Sequence, residues 1–105
     1  MARIAAIDMG SNAIRFYVVE TAGDSPYRIL ENIREPIRLG GDVFLKGSIR
    51  EENIRKAEAA FRRFRQLLKA HGVQTVRAVA TCATREASNA DLLLSRLERA
   101  SGIRV

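Results

Sequence analysis

Two short apolar runs joined by a polar turn place the strongest limit on how this chain can fold. Residues 3–8 are mostly apolar, and residues 13–20 are rich in β-branched and aromatic side chains. The residues between them, Met9 to Asn12, include Gly, Ser and Asn, which favour turns. Two β-prone runs so close together predict an antiparallel hairpin with its tip at residues 9–12.

Three further strands are predicted along the chain. Residues 27–35 follow a turn-forming stretch and end at Pro36, which suits a third strand. Residues 75–81 carry valines among alanines, which predicts a fourth strand buried on both faces. Residues 103–105, Ile-Arg-Val, have the character of the first residues of a fifth strand.

A long helix is predicted over residues 49–71. Its apolar residues recur in steps of three and four, which places them on one face. They are Ile54, Ala57, Phe61, Phe64 and Leu68. Ser48 and Glu51 have the spacing of a capping box, and Gly72 suits a left-handed helix end. The segment is therefore predicted to be an amphipathic helix with one buried face.

A second helix is predicted over residues 89–101. Its apolar face consists of Ala90, Leu93, Leu94, Leu97 and Ala100. Ser88 and Asp91 have the spacing of another capping box, and Gly102 suits the end of the helix.

The order of these elements indicates a mixed α/β fold. Residues 37–47 and 81–86 show no clear period and are predicted to be loops. An antiparallel meander followed by β-α-β units implies a mixed sheet with right-handed crossovers. Because 105 residues fit one small domain, residues 1–105 are predicted to be a single domain or part of one.

The composition is that of a soluble globular protein, and we expect a cytoplasmic location. Hydrophobic residues make up 47% and charged residues 29% of the chain. No apolar run reaches the roughly 18 residues needed to cross a bilayer, and no signal peptide precedes the first strand. The single cysteine, Cys82, cannot form an internal disulfide and is expected to be a small buried side chain.

The net charge of +6, from 18 Lys and Arg against 12 Asp and Glu, favours an anionic partner. Polyphosphate, nucleotides, nucleic acid and an acidic protein surface all fit that description. A solvated outer face on the helix at 51–71 is the simpler explanation for many of these charges. Specific nucleic-acid binding is not expected, because no recognised motif is present and no aromatic residues alternate with the basic ones.

Asp8 to Asn12 are the first candidate for chemistry. Asp8 ends a predicted buried strand, where an unpaired carboxylate would be costly, and one hard carboxylate can anchor Mg²⁺ beside a phosphate. Gly10 leaves room for an anion at the backbone. The N–H groups and side chains of Ser11 and Asn12 could then surround phosphate oxygens. An ordinary tight turn explains the same residue types.

Three segments in order resemble the exopolyphosphatase/guanosine pentaphosphate phosphatase (Ppx/GppA) family. Ala-Ile-Asp-Met-Gly-Ser-Asn at 6–12 is similar to the first phosphate loop of the actin-like ATPase superfamily. Its Ser-Asn ending resembles the Ppx/GppA family among the members of that superfamily. Residues 34–40 and 80–90 are similar to the family's Arg-Leu-Gly and Ala-Thr-x-Ala-x-Arg-x-Ala-x-Asn segments. The resemblance covers nearly the whole chain and implies the first part of a ribonuclease H-like, actin-like ATPase domain.

The resemblance implies an N-terminal phosphate-binding segment of a Mg²⁺-dependent hydrolase acting on polyphosphate or guanosine pentaphosphate (pppGpp). In this interpretation Asp8 supports the metal, while Gly10, Ser11 and Asn12 hold phosphate. Arg85, just past the carboxyl end of the fourth strand, offers a planar fork to phosphate oxygens, although a salt bridge to Glu86 is an alternative. Arg38 has the same functional interpretation and lies in a predicted loop.

The family's general-base glutamate and second glycine-rich phosphate loop have no counterpart up to Val105. The resemblance therefore implies no catalytic base among these residues and no hydrolysis by them alone. An unpaired strand edge and an uncovered apolar face favour self-association into a dimer. Two alternatives remain: a kinase-like ATP-binding lobe of the same superfamily, and a non-enzymatic polyphosphate or nucleic-acid binding module. His71 is expected to interact with carbonyls at its helix end rather than with a metal.

Overall fold

Four strands form one mixed sheet in the computed structural model, which describes residues 2–23 and 25–105. They are β1 (Ala2–Met9), β2 (Ile14–Ala22), β3 (Ser25–Glu35) and β4 (Thr75–Ala80). Their order across the sheet is β3-β2-β1-β4. β1 and β3 run antiparallel to β2, and β4 runs parallel to β1. The predicted meander followed by a β-α-β crossover is therefore the observed topology.

Helices cover one face of this sheet. They are α1 (Leu39–Lys46), α2 (Glu51–His71), α3 (Cys82–Glu86) and α4 (Ala90–Ser101). Alternate residues of β1 and β2 point into a core shared with the apolar faces of α2 and α4, and the Phe16 and Phe64 rings stack with their centroids 4.4 Å apart. Within the described residues, no helix has the length and apolar character that crossing a membrane requires.

The opposite face of the sheet is open. Ile4, Ile29 and Val79 on this face are 39%, 54% and 58% exposed. β4 was predicted to be buried on both faces, and that prediction is wrong for the described chain, because α2 and α4 cover only one side. Burial in β1 alternates for the same reason, so Asp8 is exposed rather than buried.

Both segments predicted as loops contain helix. α1 forms within 37–47 despite its two adjacent glycines, because tertiary contacts outweigh intrinsic propensity: Leu39 and Asp42 are both buried. α3 occupies most of 81–86, and the Arg85 N–H donates to the Thr81 carbonyl at 3.1 Å. These helices decide where Arg38 and Arg85 lie.

The two long helices lie within two residues of their predicted ranges, but both capping boxes are wrong. Arg50 and Asn89 are the N-cap residues, and neither helix has a side-chain capping bond. Longer-range hydrogen bonds involving Asp42 and Asn89 hold the chain before each helix instead. Gly72 and Gly102 end the helices with φ of 61° and 74°.

Residues 103–105 do not form the predicted fifth strand. The Ile103 N–H donates to Ser101 Oγ at 3.1 Å, and the Ile103 side chain is buried in the core. The Ile103 N–H is thus engaged at the end of α4 rather than in a strand ladder along β4.

Candidate phosphate-binding site

The tip between β1 and β2 consists of Ser11 and Asn12. The Gly10 N–H donates to the Ala13 carbonyl at 2.9 Å, closing the turn. Positive φ among the described residues is confined to Gly23, which lies in another turn, and to three glycines that end helices. The tip is therefore not one of the left-handed two-residue turns that suit the twist of a hairpin. Its shape needs support from outside the hairpin.

The first turn of α1 supplies that support. The Gly40 N–H donates to the Ser11 carbonyl at 2.9 Å. A Cβ on Gly40 would lie only 2.6 Å from the Ser11 Cβ, so the two backbones approach as closely as glycine allows. Arg38, the N-cap of α1, is consequently carried to the tip end of the sheet, where its side chain is exposed.

Asp8 lies in a charged row on the open face of the sheet. Arg15 on β2 is its cross-strand partner, and Arg34 on β3 is in turn the partner of Arg15. All three are exposed. Asp8 opposite Arg15 is favourable, whereas two arginines directly opposite each other repel. An anion bound beside this row would relieve that repulsion.

The sequence reasoning missed Arg15 and Arg34. Each is unremarkable alone, because a basic residue on an exposed strand face is common. The available signal was register: pairing 3–8 with 13–20 around the tip places Arg15 opposite Asp8. The position of Arg34 depends on two irregularities in the β2–β3 ladder, between Val18 and Val19 and between Glu20 and Ala22, and no local pattern indicates them.

Arg85 reaches the same end of the sheet from α3. The Thr81 N–H donates to the Met9 carbonyl at 3.1 Å, which ties the end of β4 to the end of β1. The exposed Arg85 side chain borders a shallow cavity of about 300 Å³ with Leu94 and Val105. No described acidic residue, Glu86 included, forms a salt bridge with Arg85.

Asp42 fixes α1 to the start of α2. Its buried carboxylate accepts hydrogen bonds from Asn53 Nδ2 at 2.7 Å, from the Arg50 N–H at 3.1 Å and from Arg50 Nε at 2.9 Å. Burial alone raises the pKa of Asp42, but these hydrogen bonds together hold its pKa below the ordinary value. The carboxylate is therefore charged at neutral pH and holds α1 in place.

Asn89 connects the same region to the start of α4. Its Oδ1 accepts the Ile49 N–H at 2.9 Å, and its Nδ2 donates to the Ile49 carbonyl at 2.8 Å. The Ser88 N–H donates to the Gly47 carbonyl at 2.8 Å. The tip, α1, the start of α2 and the α3–α4 junction thus form one connected framework, which positions Arg38 and Arg85.

His71 lies outside this framework. His71 Nε2 is 2.8 Å from Glu31 Oε2, and the His71 carbonyl accepts a bond from Arg3 Nη1 at 2.8 Å. The imidazole thus has a carboxylate partner, rather than the carbonyls expected from its place at a helix end. The Cys82 side chain lies outside the described part of the structure, so its predicted burial stays a prediction.

The fold defines a class: a mixed α/β domain of the actin-like ATPase fold, as predicted. A family comparison then matches residues 17–105 to the Ppx/GppA phosphatase family. The chain belongs to that family, which confirms the resemblance seen in the sequence. This match begins after the tip at residues 9–12, whereas the similarity to solved structures of the family covers nearly the whole chain.

Two solved structures show the similarity directly. The crystal structure of the Aquifex aeolicus Ppx/GppA family member has a TM-score of 0.92 and 31% identity, covering 99% of this chain and 34% of that one. An exopolyphosphatase from Cytophaga hutchinsonii has a TM-score of 0.90 and 33% identity, covering 98% of this chain and 33% of that one.

Curated relatives carry two kinds of name. Exopolyphosphatase 2 of Mycobacterium tuberculosis is 31% identical over 98 residues, which are 90% of this chain and 31% of the relative. A guanosine-5'-triphosphate,3'-diphosphate pyrophosphatase of Photobacterium profundum is 30% identical over 101 residues, which are 96% of this chain and 20% of the relative. The chain thus spans a third or less of the length of these relatives.

Proposed function

We propose that this chain is the N-terminal phosphate-binding segment of a cytoplasmic exopolyphosphatase or guanosine pentaphosphate phosphohydrolase. The observation that carries the proposal is the contact between the β1–β2 tip and α1. Ser11 and Asn12 lie against the first turn of α1, at the end of the sheet that also bears Asp8 and Arg85. Membership of a phosphatase family favours hydrolysis over the kinase-like alternative.

In this proposal the tip receives the phosphate oxygens. The Gly10 N–H is already engaged with the Ala13 carbonyl, so the donors for an anion are the N–H groups and side chains of Ser11 and Asn12. The contribution of Gly10 is its missing side chain, because a Cβ there would lie 3.1 Å from the Ala13 oxygen.

Asp8 is the proposed anchor for Mg²⁺. Its carboxylate is exposed at the end of β1, and Mg²⁺ typically binds through one or two carboxylates together with phosphate oxygens and water. No cluster of three or more acidic, His or Cys side chains occurs in residues 2–23 and 25–105, so Asp8 and the phosphate would share the ion. When bound, the ion would neutralise charge on the phosphoryl oxygens.

The arginines supply the remaining positive charge. Arg38 and Arg85 lie exposed at the tip end, and a guanidinium can bind two phosphate oxygens at once. Arg15 and Arg34 add two further cations on the face that carries Asp8. A chain of phosphates is a polyanion, so several separated cations suit it better than a single pocket.

Hydrolysis needs groups that these residues do not provide. We assign no general base within residues 1–105, and positioned general-base help contributes about 10²–10⁴-fold in rate. The proposed activity of this chain alone is therefore phosphate binding without turnover.

Tripolyphosphate binding tests the proposal. Backbone amide spectra of the ¹⁵N-labelled chain would be recorded during titration with tripolyphosphate, with and without Mg²⁺. We expect shifts at Ser11, Asn12 and Gly40, tighter binding with Mg²⁺, and loss of that Mg²⁺ effect in Asp8→Asn. Asp91→Asn, an exposed acid on α4, is the matched control.

The alternatives give different results in the same titration. A non-enzymatic polyanion-binding module would bind without a Mg²⁺ effect and with a steep salt dependence. Shifts along the outer face of α2, with the tip unperturbed, would contradict the proposed site. Repeating the titration with GTP compares a nucleotide with a simple phosphate chain.

A further inference from the structure

The phosphate-binding tip lacks the local chemistry that usually fixes a two-residue turn. Ser11 and Asn12 both keep negative φ, so neither adopts the left-handed conformation of the favoured hairpin turns. The Gly10–Ala13 hydrogen bond closes the base of the turn and does not itself involve the Ser11 or Asn12 peptide groups. A contact from beyond the hairpin therefore bears on their arrangement.

From this we infer that Gly40 is the positioning residue that sets the conformation of the tip. The inference rests on the proposed function only for its consequence, phosphate affinity. Gly40 acts in two ways: its N–H donates to the Ser11 carbonyl at 2.9 Å, and its bare Cα lets Ser11 come close. A Cβ on Gly40 would lie 2.6 Å from Ser11 Cβ, 3.0 Å from Ser11 Oγ and 3.1 Å from Ser11 Cα.

A side chain at position 40 would have to displace one of two partners, and α1 is the less movable. Leu39 is fully buried and Ile37 nearly so, which fixes the entry to α1 in the core. Asp42 ties the middle of α1 to α2 through three hydrogen bonds. At the end of α1, the Gly47 carbonyl accepts the Ser88 N–H.

The tip is the partner that gives way. Ser11 is only partly buried and Asn12 is exposed, and past the Gly10–Ala13 bond the Gly40 contact is the backbone hydrogen bond that holds them. Moving Ser11 breaks that bond and turns the peptides of Ser11 and Asn12. The N–H groups would then no longer converge on one phosphate.

The neighbouring glycine provides a matched control. A Cβ on Gly41 would be 4.0 Å from the Arg38 Cβ, an ordinary contact, and Gly41 is exposed. Both glycines lie in the first turn of α1, so replacing either changes helix propensity in the same direction. Only the substitution at position 40 should reach the tip.

Amide exchange in the unmodified chain gives the first test. The first N–H groups of a helix have no intrahelical acceptor and exchange readily. Because the Gly40 N–H has Ser11 as its acceptor, we expect it to exchange more slowly than the Gly41 N–H. Equal, fast exchange at both positions would overturn the inference, whatever the binding results are.

Paired substitutions give the second test. Gly40→Ala and Gly40→Val should shift the Ser11 and Asn12 amide resonances of the free chain and weaken Mg²⁺–tripolyphosphate binding by about tenfold or more, because hydrogen bonds from the tip to a charged phosphate would be lost. Gly41→Ala and Gly41→Val should do neither. The Gly40 variants should also melt at lower temperatures than the matching Gly41 variants, because only they lose the Gly40–Ser11 hydrogen bond.

Ser11→Gly combined with Gly40→Ala tests the steric mechanism and covers the case in which a position-40 variant unfolds. Removing the Ser11 Cβ relieves the closest contact, so the double variant should recover folding and the Asn12 amide resonance of the unsubstituted chain, measured against Gly40→Ala and Ser11→Gly alone. Failure of the unmodified chain to bind tripolyphosphate would count against the proposed function. Unchanged tip resonances in folded Gly40→Ala would count against positioning by Gly40.

Discussion

The two hairpin turns of the sheet are held in different ways. At the β2–β3 turn, Gly23 has a φ of 56°, and a Cβ there would meet no atom within 4 Å. That turn uses the conformational freedom of glycine and needs no partner at that position. The β1–β2 tip has no left-handed residue and depends on α1, more than twenty residues away in sequence.

In the proposed function, this difference separates the end of the sheet that binds phosphate from the end that does not. A turn fixed by local chemistry can be exposed and still keep its shape. A turn fixed by a distant helix can present its N–H groups outward in an arrangement that local preferences would not select. In the proposed function the phosphate site uses the second kind of turn, with the N–H groups of Ser11 and Asn12 as its donors.

The open face of the sheet repeats the contrast. Near the tip it carries Asp8, Arg15 and Arg34, in register with one another. Near the opposite end the corresponding row is Ile4, Val19 and Ile29. We propose that the charged row serves phosphate binding and that the apolar row is the surface through which the chain pairs with a second copy.

The largest predicted effect is on catalysis at the tip end. In a chimaera with this chain in place of the matching third of the Aquifex aeolicus family member, Asp8→Asn should lower turnover by about 10²-fold or more, because Mg²⁺ would lose its protein anchor. Phosphate release at saturating Mg²⁺ measures this, with Asp91→Asn as control. Turnover within a few-fold of the unsubstituted chimaera would remove Asp8 from the site.

The next effect concerns the framework behind the tip. Asp42→Asn should lower the free energy of unfolding by about 1–3 kcal/mol, because a buried, charge-assisted set of hydrogen bonds loses its acceptor. Urea unfolding at neutral pH measures the change. Asn53→Asp, which would place two carboxylates together, should lower the free energy of unfolding by at least as much. If neither variant changes it, the Asp42 hydrogen bonds do not hold α1 to α2.

The same carboxylate predicts a pH dependence. The pKa of Asp42 is lower in the folded chain than its ordinary value of 3.8. Its stabilisation is therefore complete above pH 3.8 and is lost as pH falls through the lower, folded-state pKa. The stability difference between the unsubstituted chain and Asp42→Asn should shrink in that acid range, and a difference independent of pH would contradict the assignment.

A smaller effect is expected at the other turn. Gly23→Ala should lower the free energy of unfolding by about 1–2 kcal/mol, because a side chain disfavours left-handed backbone. Tripolyphosphate affinity should not change, since this turn lies at the far end of the sheet. Gly40→Ala is expected to weaken tripolyphosphate binding, so measuring both properties in both variants tests the contrast between the turns.

The smallest effect concerns association. Ile29→Lys should weaken self-association by roughly 1 kcal/mol, about fivefold in the dimer dissociation constant, since it removes one partly exposed apolar side chain from the apolar row. Light scattering over a concentration series measures it. Arg34→Lys, at an exposed position of the charged row, is the control. If the unsubstituted chain has a monomeric mass at every concentration, the proposed association is contradicted.

Much of the fold followed from local patterns in the sequence. The steps of three and four from Ile54 to Leu68 indicate a helix face, and two β-prone runs on either side of residues 9–12 indicate a hairpin. These signals depend on residues close together in the chain, so one sequence is enough to detect them. The three segments at 6–12, 34–40 and 80–90, taken in order, likewise indicated the family.

The sequence did not indicate which contacts hold the site together. The glycines at 40 and 41 suggested a loop, yet the segment is a helix, held by the burial of Leu39 and by the hydrogen bonds of the Asp42 carboxylate. Ser48 and Ser88 suggested capping boxes, yet Asp42 and Asn89 hold those helix starts from a distance. Each of these choices is made by groups that meet only after the chain has folded.

The sequence by itself thus determined the four strands, the two long helices, the family and the candidate residues Asp8, Ser11 and Arg85. Tertiary structure decided that a Gly40 N–H would shape the tip and that Arg15 and Arg34 would share a face with Asp8. The physical reason is range: helix and strand periodicity are set by neighbours along the chain. The orientation of a turn without left-handed residues is set by whatever packs against it, and here that is the first turn of α1.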